Sequence, residues 1–329
     1  MNKNFNVAIV GSNFGLNGYL PVINNLKNCK IKYICSPNIH SKSKKIKENH
    51  DVKLIKNWRK IFEDKIVNLV ICAVPPKIQE KILIFNLKFK KKIIFEKPIA
   101  SKFESSLSII KSMKRLKIKG QINLIFLNHP LFLETKKIIR NKSLGKTLRY
   151  EIFWNFVSQD LNNRIKSWKT DEARGGGIKN IFLTHVLTYC EYFFGKNRLI
   201  RHNFKLTKFK KIRYKNNIEC HISNPKDIKG KIKIFTKKHG FQNHVIKIYF
   251  EKGDINLSTK SKDWIRNFKL KIKKYNSKKS IIKKNLKIKD YKDGRSELIN
   301  LLIANFFKKS NYNHINYCLN AEKLNKKIN

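Results

Sequence analysis

No run in this chain comes near the ~20 apolar residues that a membrane-spanning helix needs, so no membrane partner is expected. Its opening, Met1-Asn2-Lys3-Asn4-Phe5-Asn6, leads straight into a strand-like pattern. That leaves no apolar stretch for a signal peptide, and a cytoplasmic location is the default expectation. Cysteine is sparse and scattered, at Cys29, Cys35, Cys72, Cys190, Cys220 and Cys318. No C-x-x-C pair or Cys/His spacing of a zinc site occurs, so no metal is expected. Cys35 and Cys72 fall in apolar runs, where a buried, reduced thiol is the simple reading.

Acidic residues are also scarce. The chain has 22 Asp and Glu against 74 Lys and Arg, a formal net charge of +52. So large an excess invites a nucleic-acid reading. Its texture argues otherwise. Lys carries nearly all of it, among many Asn, Ile and Phe and very few Ala, which is the residue set of A/T-rich codons. The lysines also run along the whole chain, whereas a nucleic-acid surface more often combines clustered Arg with stacking aromatics. No nucleic-acid partner is expected. A diffuse positive field would still draw in anions such as a dinucleotide or a sugar phosphate.

At 329 residues and 41% hydrophobic, the chain is long enough for two domains with separate cores. The first part alternates strand and helix. Asn6–Val10 is a short apolar run ended by Gly11, and helical periodicity follows through Leu20, Val22, Ile23 and Leu26. Lys30–Cys35 alternates like a second strand, followed by a polar Ser/Lys segment and a helix to about Glu48. Val67–Val74, closed by Pro75-Pro76, and Lys92–Phe95 read as further strands. Ser101 to Leu116 reads as a helix, with Ser101 and Glu104 placed as a capping box. Such alternation specifies a doubly wound parallel sheet, an α/β fold.

The turn Gly11-Ser12-Asn13-Phe14-Gly15 then acquires a possible use. Gly11 permits a tight strand-to-helix turn, and Gly15 allows close packing or close phosphate approach. The next helix aims its first amides at a pyrophosphate. Asn13 replaces the usual middle glycine, and Asn tolerates positive φ better than most residues. Taken alone, this turn is equally an ordinary strand-to-helix connection. No carboxylate ends the second strand to hold an NAD ribose. Ser36 stands there, with Lys42, Lys44 and Lys45 beyond it, so NADP is slightly favoured over NAD.

Three more segments follow in order: Ala73-Val74-Pro75-Pro76, Phe95-Glu96-Lys97-Pro98-Ile99-Ala100, and Gly175-Gly176-Gly177 with His185 eight residues later. The series resembles the Gfo/Idh/MocA oxidoreductases, relatives of glucose–fructose oxidoreductase and inositol dehydrogenase, over nearly the whole chain. That resemblance implies a Rossmann domain, here 1–121, then an α+β domain with an open, mainly antiparallel sheet, 122–292. C-terminal helices, 293–329, would return to the first domain. It also implies a cis Lys97–Pro98 bond, a carbohydrate-type substrate and a possible homodimer or homotetramer. Arg149–Val157, Lys231–Phe235, Val245–Glu251 and Ile255–Leu257 read as strands of the second sheet. A helix through Leu298, Leu301, Leu302 and Phe306 follows Asp293-Gly294-Arg295.

The expected cofactor-binding residues are Gly11, Asn13, Phe14, Gly15, Ser36, Val74, Pro75, Glu96 and Lys97. Lys97, at a strand's carboxyl end, would hydrogen-bond the reacting hydroxyl, and His185 would take its proton as hydride leaves. Lys97, His129, Trp168, Thr184 and His185 are the expected substrate contacts. His129 equally suits a turn cap, and Trp168 equally suits core packing. The family's Asp one helical turn before this His is replaced by Ile181, which cannot bond an imidazole. Asp171 or its neighbours could supply that group. Otherwise the chain is an impaired, dinucleotide-binding relative used for sensing or assembly.

Overall fold

A computed structural model describes residues 4–39, 41, 46, 52–157, 160, 165, 167–209, 212–237, 242–261, 263, 265–284, 291–308 and 312–328. Much of the Ser/Lys segment and the helix expected up to Glu48 lies outside these residues, as do Lys42, Lys44 and Lys45. The chain forms two compact units, one from Met1–Ile125 with Lys289–Leu319, the other from Phe126–Ile288 with Asn320–Asn329. The C-terminal stretch drawn from the sequence as one piece, 293–329, is thus shared between the two.

The first unit is built on six strands: β1 (Phe5–Val10), β2 (Cys29–Cys35), β3 (Lys53–Ile55), β4 (Leu69–Cys72), β5 (Lys92–Phe95) and β6 (Gly120–Ile122). Their order is β3-β2-β1-β4-β5-β6, and every pairing is parallel. Strands covered on both faces must be apolar throughout, which is why β1 and β4 read as unbroken hydrophobic runs. The strand expected over Val67–Val74 is shorter because Val67 N–H turns to the Asp64 carbonyl and Pro75 already leads into a helix.

Among the described residues, four α-helices connect these strands. They are α1 (Leu20–Asn24), α2 (Arg59–Glu63), α3 (Pro76–Phe89) and α4 (Phe103–Arg115). A π-helical turn, Gly15–Tyr19, runs into α1. The capping box expected at Ser101 and Glu104 is not formed. α4 begins after Lys102 without a side-chain cap, and the Ser101 hydroxyl and amide both donate to Glu80 Oε2 instead. The helix Arg295–Lys308 buries Ile299, Leu302, Ile303 and Phe306 in the same core as Ile9, Ile23, Ile34 and Ile71.

The second unit carries eight strands: β7 (Thr147–Val157), β8 (Arg198–Phe209), β9 (Ile212–Ser223), β10 (Lys229–Lys237), β11 (Asn243–Phe250), β12 (Gly253–Thr259), β13 (Lys269–Lys274) and β14 (Ser280–Lys284). They lie in the order β14-β13-β12-β11-β7-β10-β9-β8, antiparallel except where β10 pairs with β7. Tyr150, Ile152, Trp154 and Phe156 of β7 turn one way and are buried. β13 shows the other face plainly, with Leu270 and Ile272 buried and Lys269, Lys271 and Lys273 exposed. α5 (Pro130–Asn141) and α6 (Thr184–Phe194) belong to this unit, Tyr150 stacking on Phe194 with ring centres 4.1 Å apart.

Buried histidines make the fold acid-sensitive. Burial pulls His129 and His314 down to about 4 and His244 to about 3. In the unfolded chain each protonates near 6.5, so the folded state, which keeps them neutral, loses stability as pH falls below that value. The loss runs down to about 4, or about 3 for His244, at about 1.4 kcal/mol per pH unit for each group. His129→Asn keeps a helix-capping residue but does not titrate. Urea unfolding at pH 6.5 and 4.5 is expected to show a slope shallower by that amount. An unchanged slope would show that His129 does not contribute.

Candidate active site

β1 ends at Val10, and Gly11 turns the chain with φ of +117°. A Cβ here would lie 2.1 Å from the Ala73 carbonyl oxygen, so the turn excludes every other residue on both counts. Gly11 N–H donates to Cys35 O at 2.8 Å, and Ala73 N–H donates to Val10 O at 2.8 Å, tying the turn to β2 and β4. Gly15 serves packing, since a Cβ would sit 2.8 Å from Ile9 Cγ2 on the strand beneath. Asn13 does not use the left-handed conformation expected of it. Among the described residues, positive φ outside glycine falls at Lys90, Lys117, Lys142 and Asp227. The strain of the turn rests on Gly11, and Asn13 O accepts from Asn17 N–H at 3.1 Å to start the helix. Ser36, just beyond β2, accepts a 2.9 Å hydrogen bond from the Ser12 hydroxyl.

Val74 and Pro75 follow β4, Pro75 standing immediately before α3. Glu96-Lys97-Pro98 follows β5, with the Lys97–Pro98 bond cis as the resemblance implied. Gln79, one turn into α3 and fully buried, grips this segment. Its Nε2 donates to the carbonyls of Glu96 (2.6 Å), Pro98 (3.0 Å) and Ile99 (3.0 Å), and its Oε1 accepts Glu96 N–H at 2.8 Å. The Glu96 carboxylate takes two donors on Oε1, the Tyr19 hydroxyl at 2.7 Å and Asn123 Nδ2 at 2.8 Å. Burial pushes the Glu96 carboxyl above its ordinary value, while these donors and the charges of Lys97 and Arg295 pull it back. Tyr19 is raised well above 10 by its own burial and the carboxylate beside it. Lys97 is half-buried.

The second unit explains its glycine triplet. Gly175 and Gly177 have φ of +82° and +79°, and a Cβ on Gly176 would lie 1.9 Å from Trp168 O. The triplet leads into a π-helical turn, Lys179–Leu183, continuous with α6. Ile181 lies inside this turn, four residues before His185 in α6. Asn325 fastens the turn, its Nδ2 donating to Lys179 O, Asn180 Oδ1 and Thr184 Oγ1 at 3.1–3.3 Å. The half-buried His185 ring packs edge-on to Phe126 (5.3 Å) and near Trp154 (6.4 Å).

Two of the expected substrate contacts lie inside the fold. His129 is fully buried, its Nδ1 accepting Leu131 N–H to cap α5 and its Nε2 2.9 Å from Ile265 O, so capping is the role it fills. Thr184 is 1% exposed and engaged by Lys179 O and Asn325, which leaves its hydroxyl inside the fold. Trp168 is half-buried in a short helical turn whose carbonyl crowds Gly176. Asp171 Oδ1 accepts Ala173 N–H and so caps the next turn.

Sequence reading missed Gln79, Tyr19 and Asn123, which fix the Glu96–Lys97 segment from 17, 77 and 27 residues away. Only an unexplained Gln in an apolar helix face signalled the first.

Residues 5–123 match the model of the oxidoreductase family with an NAD-binding Rossmann fold, Gfo/Idh/MocA. An uncharacterised oxidoreductase of Synechocystis is 19% identical over 279 residues, 81% of this chain and 75% of that protein. A levoglucosan dehydrogenase solved with NADH superposes with a TM-score of 0.82 at 16% identity, over 99% of this chain and 96% of the other. The 3-ketoreductase KijD10 of Actinomadura kijaniata, solved with NADP and TDP-benzene, gives 0.80 at 11% identity, over 98% and 96%. The solved structures show a shared fold across both units. No helix among the described residues is long and apolar enough to cross a membrane. The segment that begins at the Gly11 turn, residues 5–123, thus matches the NAD-binding Rossmann domain of the Gfo/Idh/MocA oxidoreductases.

Proposed function

We propose that this chain catalyses hydride transfer between a nicotinamide dinucleotide and a carbinol carbon of a sugar, sugar nucleotide or cyclitol. One observation carries the reading. The Gly11 turn, Val74-Pro75 and Glu96-Lys97-Pro98 follow β1, β4 and β5, three adjacent strands spanning the point where strand order reverses. Ligands of doubly wound sheets bind outside the carboxyl ends of strands at that point. The residues present suit a dinucleotide. The turn admits no Cβ at Gly11, and Asn123 keeps a buried Oδ1 without a partner beside Glu96.

When bound, the nicotinamide supplies the hydride acceptor or donor. Lys97 hydrogen-bonds the reacting hydroxyl and shifts charge toward it, and His185 takes the proton. Gly11, Asn13, Phe14 and Gly15 form the phosphate turn, Val74, Pro75 and Glu96 line the nicotinamide end, and Trp168 walls the substrate. Ser36, paired with Ser12 in place of a carboxylate, favours NADP. The levoglucosan bound by the levoglucosan dehydrogenase supports a carbohydrate substrate, and the TDP-benzene bound by the 3-ketoreductase is compatible with a nucleotide-linked one. A homodimer or homotetramer in the cytoplasm completes the reading.

Titration of NADPH and NADH fluorescence is expected to show binding of both, NADPH the tighter by roughly tenfold, with Ser36→Asp reversing the order. Absorbance at the nicotinamide band then screens sugars, sugar nucleotides and cyclitols for turnover. Absence of binding at millimolar dinucleotide would overturn the proposal. A second reading, a binding protein without turnover, rests on Ile181 in place of the family's Asp. Binding with no turnover across the panel would favour it.

A further inference from the structure

Arg295 opens the helix Arg295–Lys308, at the end where the helix dipole is positive. A cation there works against the helix, so helix stability does not explain the choice of residue. Its partner is Asp293, which accepts from Arg295 Nε at 3.0 Å and Nη2 at 2.6 Å and also caps the helix through Arg295 N–H. This fork holds the guanidinium over the Phe14 ring, 4.4 Å from its centre. Phe14 in turn covers Gly18, where a Cβ would fall 2.5 Å from the ring. Fully buried Ser296 donates to Gly18 O at 2.9 Å, fastening the start of this helix to the phosphate turn's own helix. Gly18, Phe14 and Arg295 therefore form one stack, and Arg295 keeps 42% of its side chain exposed. Nη1 makes no hydrogen bond among the described residues. Its charge also reaches Glu96, which it lowers.

We propose that Arg295, from the C-terminal segment, is a binding residue for the anionic diphosphate part of the dinucleotide. This rests on the proposed function. Every element needed for anion recognition is in place: a fixed, planar, always-charged fork, stacked on the aromatic residue of the phosphate turn, with a free donor edge. The rigid Asp293 clamp fixes the guanidinium's orientation in advance, so little side-chain freedom is lost on binding.

The test uses the whole protein, with NADPH, ADP and adenosine as probes for wild type, Arg295→Ala and Arg295→Lys. Arg295→Ala is expected to weaken NADPH and ADP at least tenfold and to leave adenosine, which has no phosphate, unchanged. Arg295→Lys, keeping charge without the fork, should fall between. Thermal melting of the apo-protein reports folding, and a purely structural arginine would lower the melting temperature while leaving NADPH affinity within twofold of wild type. That result overturns the inference, as does an equal loss for adenosine. If wild type itself binds no dinucleotide, the proposed function falls with it, which separates the two failures.

Discussion

Lys97→Ala is expected to lower kcat by two to four orders of magnitude on whichever carbinol substrate the wild type turns over, the range typical for a lost acid–base group. NADPH affinity should stay within a few-fold. The separation follows from how the segment is held. Gln79 grips the backbone of Glu96, Pro98 and Ile99 through four hydrogen bonds that do not involve the Lys97 side chain. Removing that side chain therefore leaves the loop where it was. Glu96 keeps both donors on Oε1, from Tyr19 and Asn123, so the neighbouring carboxylate also stays in place. Lys97→Arg keeps the charge but not the compact ammonium, and should recover less than a tenth of wild-type kcat. Steady-state assays with saturating dinucleotide, beside fluorescence titration, measure both quantities. Turnover of Lys97→Ala at the wild-type rate would remove this lysine from the chemistry.

The parts that were legible in the sequence are those dictated by the backbone. β1 and β4 announce themselves because a strand covered on both faces has to be apolar at every position. Gly11 was readable because no side chain fits where it stands, whereas the Gly175-Gly176-Gly177 run was read only through the resemblance. Side-chain partnerships were not. Ser101 and Glu104 have the spacing of a capping box, yet Glu80, on another helix, captured the serine. Asn13 was expected to bear a left-handed turn that Gly11 alone bears. β8 and β9 went unread because lysines and asparagines are frequent on every surface of this chain, blurring the strand alternation. β13 passed unread for the same reason, though Leu270 and Ile272 keep strict period two. Around His185, helical spacing placed Ile181 one turn away, and the structure adds that Ile181 lies in a π-helical turn, which the sequence did not signal. His129 was open between substrate and cap until the Ile265 carbonyl and Leu131 amide claimed its two nitrogens.

Gln79→Leu is expected to be the most damaging substitution in the first unit outside the glycine turn. The two side chains are similar in size, so the change leaves little cavity and isolates the hydrogen bonds. Four backbone groups lose a hydrogen bond at once: Glu96 N–H and the carbonyls of Glu96, Pro98 and Ile99. Gln79 itself is fully buried, as are Pro98 and Ile99, so water cannot replace it without opening the fold. A buried polar group left unpaired costs about 1–3 kcal/mol, and partial relaxation of the loop recovers some of that for a group of four. A loss of roughly 3–5 kcal/mol is expected by urea unfolding, near the upper end for single substitutions. Function should fail differently from Lys97→Ala. Because the segment carrying Lys97 and Glu96 is released, NADPH affinity and kcat should both drop. Gln79→Glu preserves the acceptor for Glu96 N–H but faces three carbonyls with a carboxylate, and should be at least as harmful. A Gln79→Leu protein as stable as wild type would show that the segment is held by other contacts, and the positioning of Lys97 would need another cause.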